Sequence, residues 1–193
     1  MKRITLVVLA ACGGGSDSPA VDAATDGIID AAIDAPPTGS FVLTSPMLVM
    51  GASFAAANTC TGPGNTSPQL AWTAGPTGTL SYSIIFTDKS NALIHWIIYD
   101  IPASATGLPA SVQKAYMPNN VTGAKQTLSF QAGARGYLGP CPPNLHTYEF
   151  VVYAIDVATL PGLTMASARA DVAPVILQHD LAMAALSGTY VQP

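Results

Sequence analysis

Between residues 139 and 148 the chain reads Gly139-Pro140-Cys141-Pro142-Pro143-Asn144-Leu145-His146-Thr147-Tyr148. Three prolines and a glycine set a stiff path, because proline fixes φ near −65° and removes backbone donors. His146 and Tyr148 stand two apart. In the strand expected to follow, that spacing puts the imidazole and the phenol on one face. An imidazole, with an ordinary pKa of about 6.5, exchanges hydrogen bonds near neutral pH, and a phenol donates one. A rigid loop that brings both to one spot suits recognition of a small polar ligand. Taken alone, the segment also reads as a plain turn entering a strand.

The elements that must position these groups are mostly strands. Phe41-Val42-Leu43 starts one and Ser45-Pro46 breaks it. Residues 69–72 alternate polar and apolar like a half-buried strand. Residues 81–87 form a strand that ends at Asp88, and residues 94–101 form another, closed by Pro102. A weak strand is expected at 127–130. Residues 148–155 carry Tyr, Phe, Val and Ile at strand density. From 173 to 186 the period changes: Ile176, Leu177, Leu181 and Ala184 are spaced for an amphipathic helix, which Leu186-Ser187-Gly188 would end. His179 falls on that helix as a packing or capping residue, and Trp72 and Trp96 read as core. Strands first and a helix last predict a mainly-β domain with its helix packed at one end.

The N-terminus carries a different signal. Lys2 and Arg3 precede the short apolar run 4–9, and Leu9-Ala10-Ala11-Cys12 resembles a lipobox, where a bacterial lipoprotein is cut and its cysteine lipidated. The run is too short to span a bilayer, which takes about 20 residues. Residues 1–12 are therefore expected to be a lipoprotein signal with Cys12 as the lipidated residue. Gly13, in place of the aspartate associated with inner-membrane retention, points to an exported lipoprotein of the outer membrane or cell envelope. Residues 13–39 read as a disordered Ala/Asp-rich tether, with Asp17, Asp22, Asp26, Asp30 and Asp34 and no basic residue. Residues 40–193 form the single expected domain.

The tether accounts for most of the charge. Five of the 11 acidic residues lie in it, and two of the 7 basic residues lie in the signal, so the domain is near −1. That leaves no electrostatic footprint for nucleic acid. Only 9% of the chain is charged, which suits a domain with a large apolar core. There are three cysteines. With Cys12 lipidated, Cys60 and Cys141 remain in a chain bound for an oxidising compartment, where a disulfide between them is expected. Two reduced, buried thiols are the alternative.

Five segments together resemble the phosphatidylethanolamine-binding protein (PEBP) family, in its bacterial Raf-kinase-inhibitor-like branch. They are Thr59-Cys60-Thr61-Gly62 with Ser67-Pro68-Gln69-Leu70-Ala71-Trp72; the strand Tyr82 to Asp88; His95-Trp96-Ile97-Ile98-Tyr99-Asp100-Ile101-Pro102; Tyr137-Leu138-Gly139-Pro140-Cys141-Pro142-Pro143 with His146-Thr147-Tyr148; and His179-Asp180-Leu181-Ala182 to Leu186-Ser187-Gly188-Thr189-Tyr190. The resemblance spans residues 41–190. It implies a large antiparallel sheet packed on a smaller sheet, with a C-terminal helix near the site. It also implies a pocket for phosphate-like anions, including phospholipid headgroups, formed by Asp88, His95, Gly139, Pro140, His146 and Tyr148. Backbone N–H groups around Gly139 would approach an oxyanion with no Cβ in the way. Asp88 fits an anion site best by orienting a histidine and raising its basicity.

One departure stands out. The family follows its aspartate with D-P-D-x-P and a longer excursion, whereas here the chain reads Asp88-Lys89-Ser90-Asn91-Ala92-Leu93-Ile94-His95. The rim at that side is therefore this chain's own, and Lys89 there reads as a solvated loop lysine. The expected function is non-enzymatic binding of a small anion by a lipid-anchored domain, with no cofactor or metal. The first alternative is an inhibitor or interaction module for a protein partner such as a protease. The second is a metal-dependent enzyme using Asp88, His95 and His146 as a two-histidine, one-carboxylate set. A hydrolase built on Ser67 or Ser90 is disfavoured, because neither sits in a G-x-S-x-G elbow and both have turn roles available.

Overall fold

The structure, a computed structural model, describes residues 39–193. The signal segment 1–12, Cys12 and the tether up to residue 38 lie outside the described residues. Among the described residues no helix is long and apolar enough to cross a membrane.

The strands form two antiparallel sheets. The smaller joins β1 (Leu43–Thr44), β2 (Leu70–Trp72) and β5 (Gly107–Leu108) in the order β1-β2-β5. The larger contains β3 (Ser81–Asp88), β4 (Leu93–Pro102), β6 (Lys125–Gln126), β7 (His146–Ile155) and β8 (Asp180–Tyr190), in the order β6-β4-β3-β7-β8. Among the described residues a single α-helix, α1 (Arg169–Gln178), precedes β8, besides a 3-10 turn at Ala56–Asn58. The mainly-β architecture with a large and a small sheet is the expected one.

Period-2 side chains explain the layers. Tyr82, Ile84 and Phe86 of β3, and Phe150 and Val152 of β7, face the small sheet's Leu43, Leu70, Trp72 and Leu108 across one core. The opposite face carries Ile85, Ile97, Tyr99, Tyr153 and Ile155, covered by Leu160 and by Val172 and Ile176 of α1. These helix residues are four apart and so share one face. Each such buried side chain contributes about 1.5–3 kcal/mol relative to exposure.

The alternation breaks twice in β4. Phe86 pairs with Trp96 while Thr87 pairs with Ile94, so His95 is an extra residue in the ladder. A bulge of this kind re-aims side chains. Ile94 and Ile97 belong to the helix-covered face, whereas His95 and Trp96 both turn to the other, His95 packing on Phe86 and Tyr148. The second break brings Tyr99 and Asp100 opposite Ser83. Asp100 there has φ 56°, a left-handed conformation that aspartate tolerates better than most residues. Its buried carboxylate accepts from Lys125 Nζ at 2.8 Å and from the Leu160 N–H at 2.9 Å.

The C-terminal region corrects the sequence expectation. The helix runs from Arg169 to Gln178, not from 173 to 186, and His179 is its C-cap, with its N–H on the Ile176 carbonyl. The Asp171 carboxylate accepts from the Ala168 N–H at the other end. Residues 180–190 are strand. Ala182, Ala184 and Leu186 point into the core while Leu181, Met183 and Ala185 are exposed, an alternation that leaves no helical stripe. Pairing with the whole length of β7 overrides alanine's helix propensity. The weak strand expected at 127–130 also shifts: β6 is Lys125–Gln126, and Leu128 makes only an isolated bridge to Arg135.

Cys60 and Cys141 are disulfide-bonded, with Cα atoms 5.3 Å apart. The bond closes a loop of 81 residues, worth roughly 4 kcal/mol in the chain-entropy treatment. Reductant should lower the unfolding free energy by roughly that amount in denaturant melts. Mass mapping after alkylation under denaturing, non-reducing conditions should find neither Cys60 nor Cys141 as a free thiol. Recovery of both as alkylated cysteines would contradict the pairing.

Candidate functional site

Three strand ends and one loop build the site. β3 ends on Asp88, which pairs across the sheet with Leu93 of β4 and Tyr148 of β7. The β4 bulge brings in His95. β7 opens with His146 and Tyr148, on one face as their spacing requires; their rings lie 6.3 Å apart. The Pro-rich loop supplies the remaining wall. Together Asp88, Asn91, Leu93, His95, Phe130, Cys141, Pro142, Pro143, His146 and Tyr148 line a cavity of about 250 Å³. A larger cavity of about 760 Å³, lined by residues such as Phe41, Thr73, Pro76 and Ala182, contains no titratable side chain.

Asp88 is 2% exposed, and both of its oxygens are engaged. Oδ2 accepts from His146 Nδ1 at 2.6 Å, and Oδ1 accepts from the Ser90 N–H at 2.9 Å. The carboxylate therefore orients His146 rather than facing a ligand. His95 is 4% exposed, and its Nδ1 donates to the Leu138 carbonyl at 3.0 Å. Phe130 lies 4.6 Å from the His95 ring, centroid to centroid, and Tyr148 meets that ring edge-on at 5.3 Å. Burial pushes His95 below the ordinary imidazole value, against the Leu138 hydrogen bond and the Asp88 charge, which favour protonation. Burial, reinforced by the Asp88 charge, raises Tyr148 well above the ordinary phenol value, so the hydroxyl keeps its proton.

Gly139 and Pro140 do not line this cavity. The Gly139 N–H donates to Asn65 Oδ1 at 2.7 Å and is not free for an oxyanion. A Cβ on Gly139 would lie 2.0 Å from the Asn58 carbonyl oxygen, so close backbone approach requires glycine here. The Pro140 carbonyl accepts from the Cys60 N–H at 3.0 Å. Tyr137, fully buried, donates its hydroxyl to the Asn58 carbonyl at 2.7 Å. This strip is the frame that holds the Leu138 carbonyl against His95.

The chain's own rim is a short hairpin. Asn91 Oδ1 accepts from the Leu93 N–H, and Ala92 takes φ 61° at the turn. Lys89 is paired with Glu149 at 2.9 Å. Ser90 Oγ accepts from the Thr147 N–H, and the buried Ser67 Oγ accepts from the Val112 N–H. Trp96 donates Nε1 to Gln126 Oε1 at 2.7 Å within the core. Asn91, Leu93 and Phe130 are wall residues that motif matching did not single out, whereas Pro142 and Pro143 come from the Pro-rich motif itself. Only an aromatic residue in an otherwise polar stretch marked Phe130.

As for a metal, the described residues contain no group of three His, Cys, Asp or Glu placed to hold one. The arrangement offers a different chemistry, a small apolar-walled pocket with two imidazoles and a phenol.

Comparison with known proteins gives the family. The profile of the phosphatidylethanolamine-binding protein family matches residues 44–191. A UPF0098 protein of Methanothermobacter thermautotrophicus is 36% identical over 137 residues, 68% of this chain and 86% of the relative. One of Aquifex aeolicus is 36% identical over 138 residues, 68% and 77% of the two chains. The crystal structure of Escherichia coli YbcL, described as a new member of the mammalian PEBP family, superposes with a TM-score of 0.72 at 28% identity. It covers 80% of this chain and 100% of its own.

The buried His95 makes stability pH-dependent in a definite direction. Its folded pKa lies below the unfolded value of 6.5, so between the two the unfolded chain binds more protons. Its contribution is complete above the unfolded value and is lost as the pH falls towards the folded one. Denaturant melts should show His95→Asn, which keeps an N–H for the Leu138 carbonyl, to be less acid-sensitive than wild type across that window. Equal acid sensitivity of the two proteins would contradict this.

Proposed function

The chain belongs to the phosphatidylethanolamine-binding protein family, and from that membership we propose a non-enzymatic binding protein whose pocket takes a small phosphate-like anion, such as a phospholipid headgroup. The observation that carries this reading is the convergence of His95, His146 and Tyr148 on one cavity, with Asp88 spent on orienting His146. At about 250 Å³ the cavity falls below the roughly 300–1,000 Å³ of drug-sized sites. It suits a headgroup and not a whole lipid. Leu93, Phe130, Pro142 and Pro143 give the cavity a mostly apolar wall around its few polar groups.

The expected lipid on Cys12 gives the pocket its workplace. A domain tethered through residues 13–39 samples the adjacent envelope surface, where phosphoryl headgroups are concentrated. Neither serine weighed as a nucleophile lies in the cavity wall, and both hydroxyls are occupied by backbone N–H groups. Binding without turnover is the activity that this arrangement supports.

Titration of the domain with phosphorylethanolamine should shift NMR resonances around His95, His146 and Tyr148, with millimolar affinity. His146→Ala should abolish those shifts and leave the folded spectrum otherwise intact. It removes one hydrogen bond to Asp88, a cost of about 1–3 kcal/mol. An unperturbed wild-type spectrum at saturating phosphorylethanolamine would refute the reading.

A further inference from the structure

We propose that the pocket takes up one proton from solvent whenever it takes an oxyanion, so that binding tightens as the pH falls. This rests on the anion reading above. It follows from which ring nitrogens are already spent. A carbonyl oxygen only accepts, so His95 Nδ1, 3.0 Å from Leu138 O, carries hydrogen. Asp88, accepting at both oxygens, requires the same of His146 Nδ1. A neutral imidazole with hydrogen on Nδ1 has a bare lone pair on Nε2. No protein group bonds Nε2 of either ring among the described residues.

With both rings neutral, an oxyanion entering this cavity meets two acceptors, which repel it, and only neutral donors such as the Tyr148 hydroxyl to offset them. No lysine or arginine lines the wall to compensate. Lys89 is held by Glu149. Arg169, on α1, has its guanidinium on the Leu128 carbonyl at 3.0 Å. Protonation of one Nε2 converts an acceptor into a charged donor, the strongest contact open to this site.

The groups that face His95 set how far this goes. Burial is the largest influence on His95 and opposes an imidazolium, while the Leu138 carbonyl and, from β3, the Asp88 charge favour one. From β7 His146, and from α1 Arg169, oppose it. Tyr148 of β7 stays neutral. One imidazolium is thus supported by Asp88 and by the anion, while a second is opposed by the first. Uptake stops at about one proton.

Sulfate separates protein protons from ligand protons, because it remains a dianion across the neutral range. Calorimetric titration with sulfate, in two buffers of different ionisation enthalpy, should show uptake of about one proton. Affinity should weaken about tenfold per pH unit on the alkaline side of the imidazole transition. His146→Asn keeps an N–H for Asp88 but has no Nε2, and should bind sulfate at least about tenfold more weakly, with an unchanged unfolding midpoint. Sulfate binding with pH-independent affinity and buffer-independent heat would overturn the proton coupling and leave the anion pocket standing. Binding of phosphate but never of sulfate, even in acid, would assign the proton to the ligand and also overturn it. Binding of neither, and none of phosphorylethanolamine, would overturn the anion reading and this inference with it.

Discussion

Opposite Phe86 and Thr87 the β3–β4 ladder holds Trp96 and Ile94, and His95 is the residue left over. Counted back from Trp96 and Ile97, strict alternation would send His95 to the helix-covered face with Ile97. The bulge sends it instead to the face shared by Phe86, Asp88, His146 and Tyr148. Trp96 stays on that same face, one residue on, where it meets Tyr137 and bonds Gln126. One extra residue thus serves both core and site. Everything else in the pocket presupposes it: the Leu138 carbonyl has a ring to accept from, and Phe130 has a surface to cover.

The second constraint is the frame behind the Pro-rich loop. Gly139 presses against Asn58, Asn65 takes its N–H, Cys60 bonds the Pro140 carbonyl, and the disulfide ties the same two segments covalently. Pro142 and Pro143 then stand as pocket wall without polar backbone donors. The chemistry of the site follows from what this frame consumes. Each histidine spends Nδ1 on the protein, and Asp88 spends both oxygens. What the protein leaves unbonded in the cavity is two Nε2 atoms, beside a phenol that leans on Asp88, among mostly apolar walls. On the proposed anion reading, a site so short of fixed positive charge would draw on protons, and its ligand would be small.

Much of this was legible in the sequence and part was not, for physical reasons. Spacing alone put His146 and Tyr148 on one face, because a strand has a fixed period. Long apolar runs marked β3, β4 and β7, and the order of short motifs marked the family. The first half of β8 reads as helix because Leu181 and Ala184 continue the spacing of Ile176 and Leu177, and only the edge of β7 decides for strand. The family resemblance puts Gly139 and Pro140 in the pocket, but a glycine that permits close approach does not say what approaches, and in this fold Asn58 lies against it. The bulge at His95 left no mark, since one extra residue is visible only against its partner strand. Phe130 reaches the site from a loop whose position depends on tertiary contacts.

The account turns on the claim that an oxyanion sits between the two imidazoles. Its most direct test is a crystal structure of the full domain grown or soaked with phosphate under mildly acidic conditions. The account predicts tetrahedral density within hydrogen-bonding distance of Nε2 of both His95 and His146, with Asp88 still bound to His146 Nδ1. A metal ion coordinated by Asp88, His95 and His146, or density for phosphate elsewhere with this cavity holding only water, would contradict it.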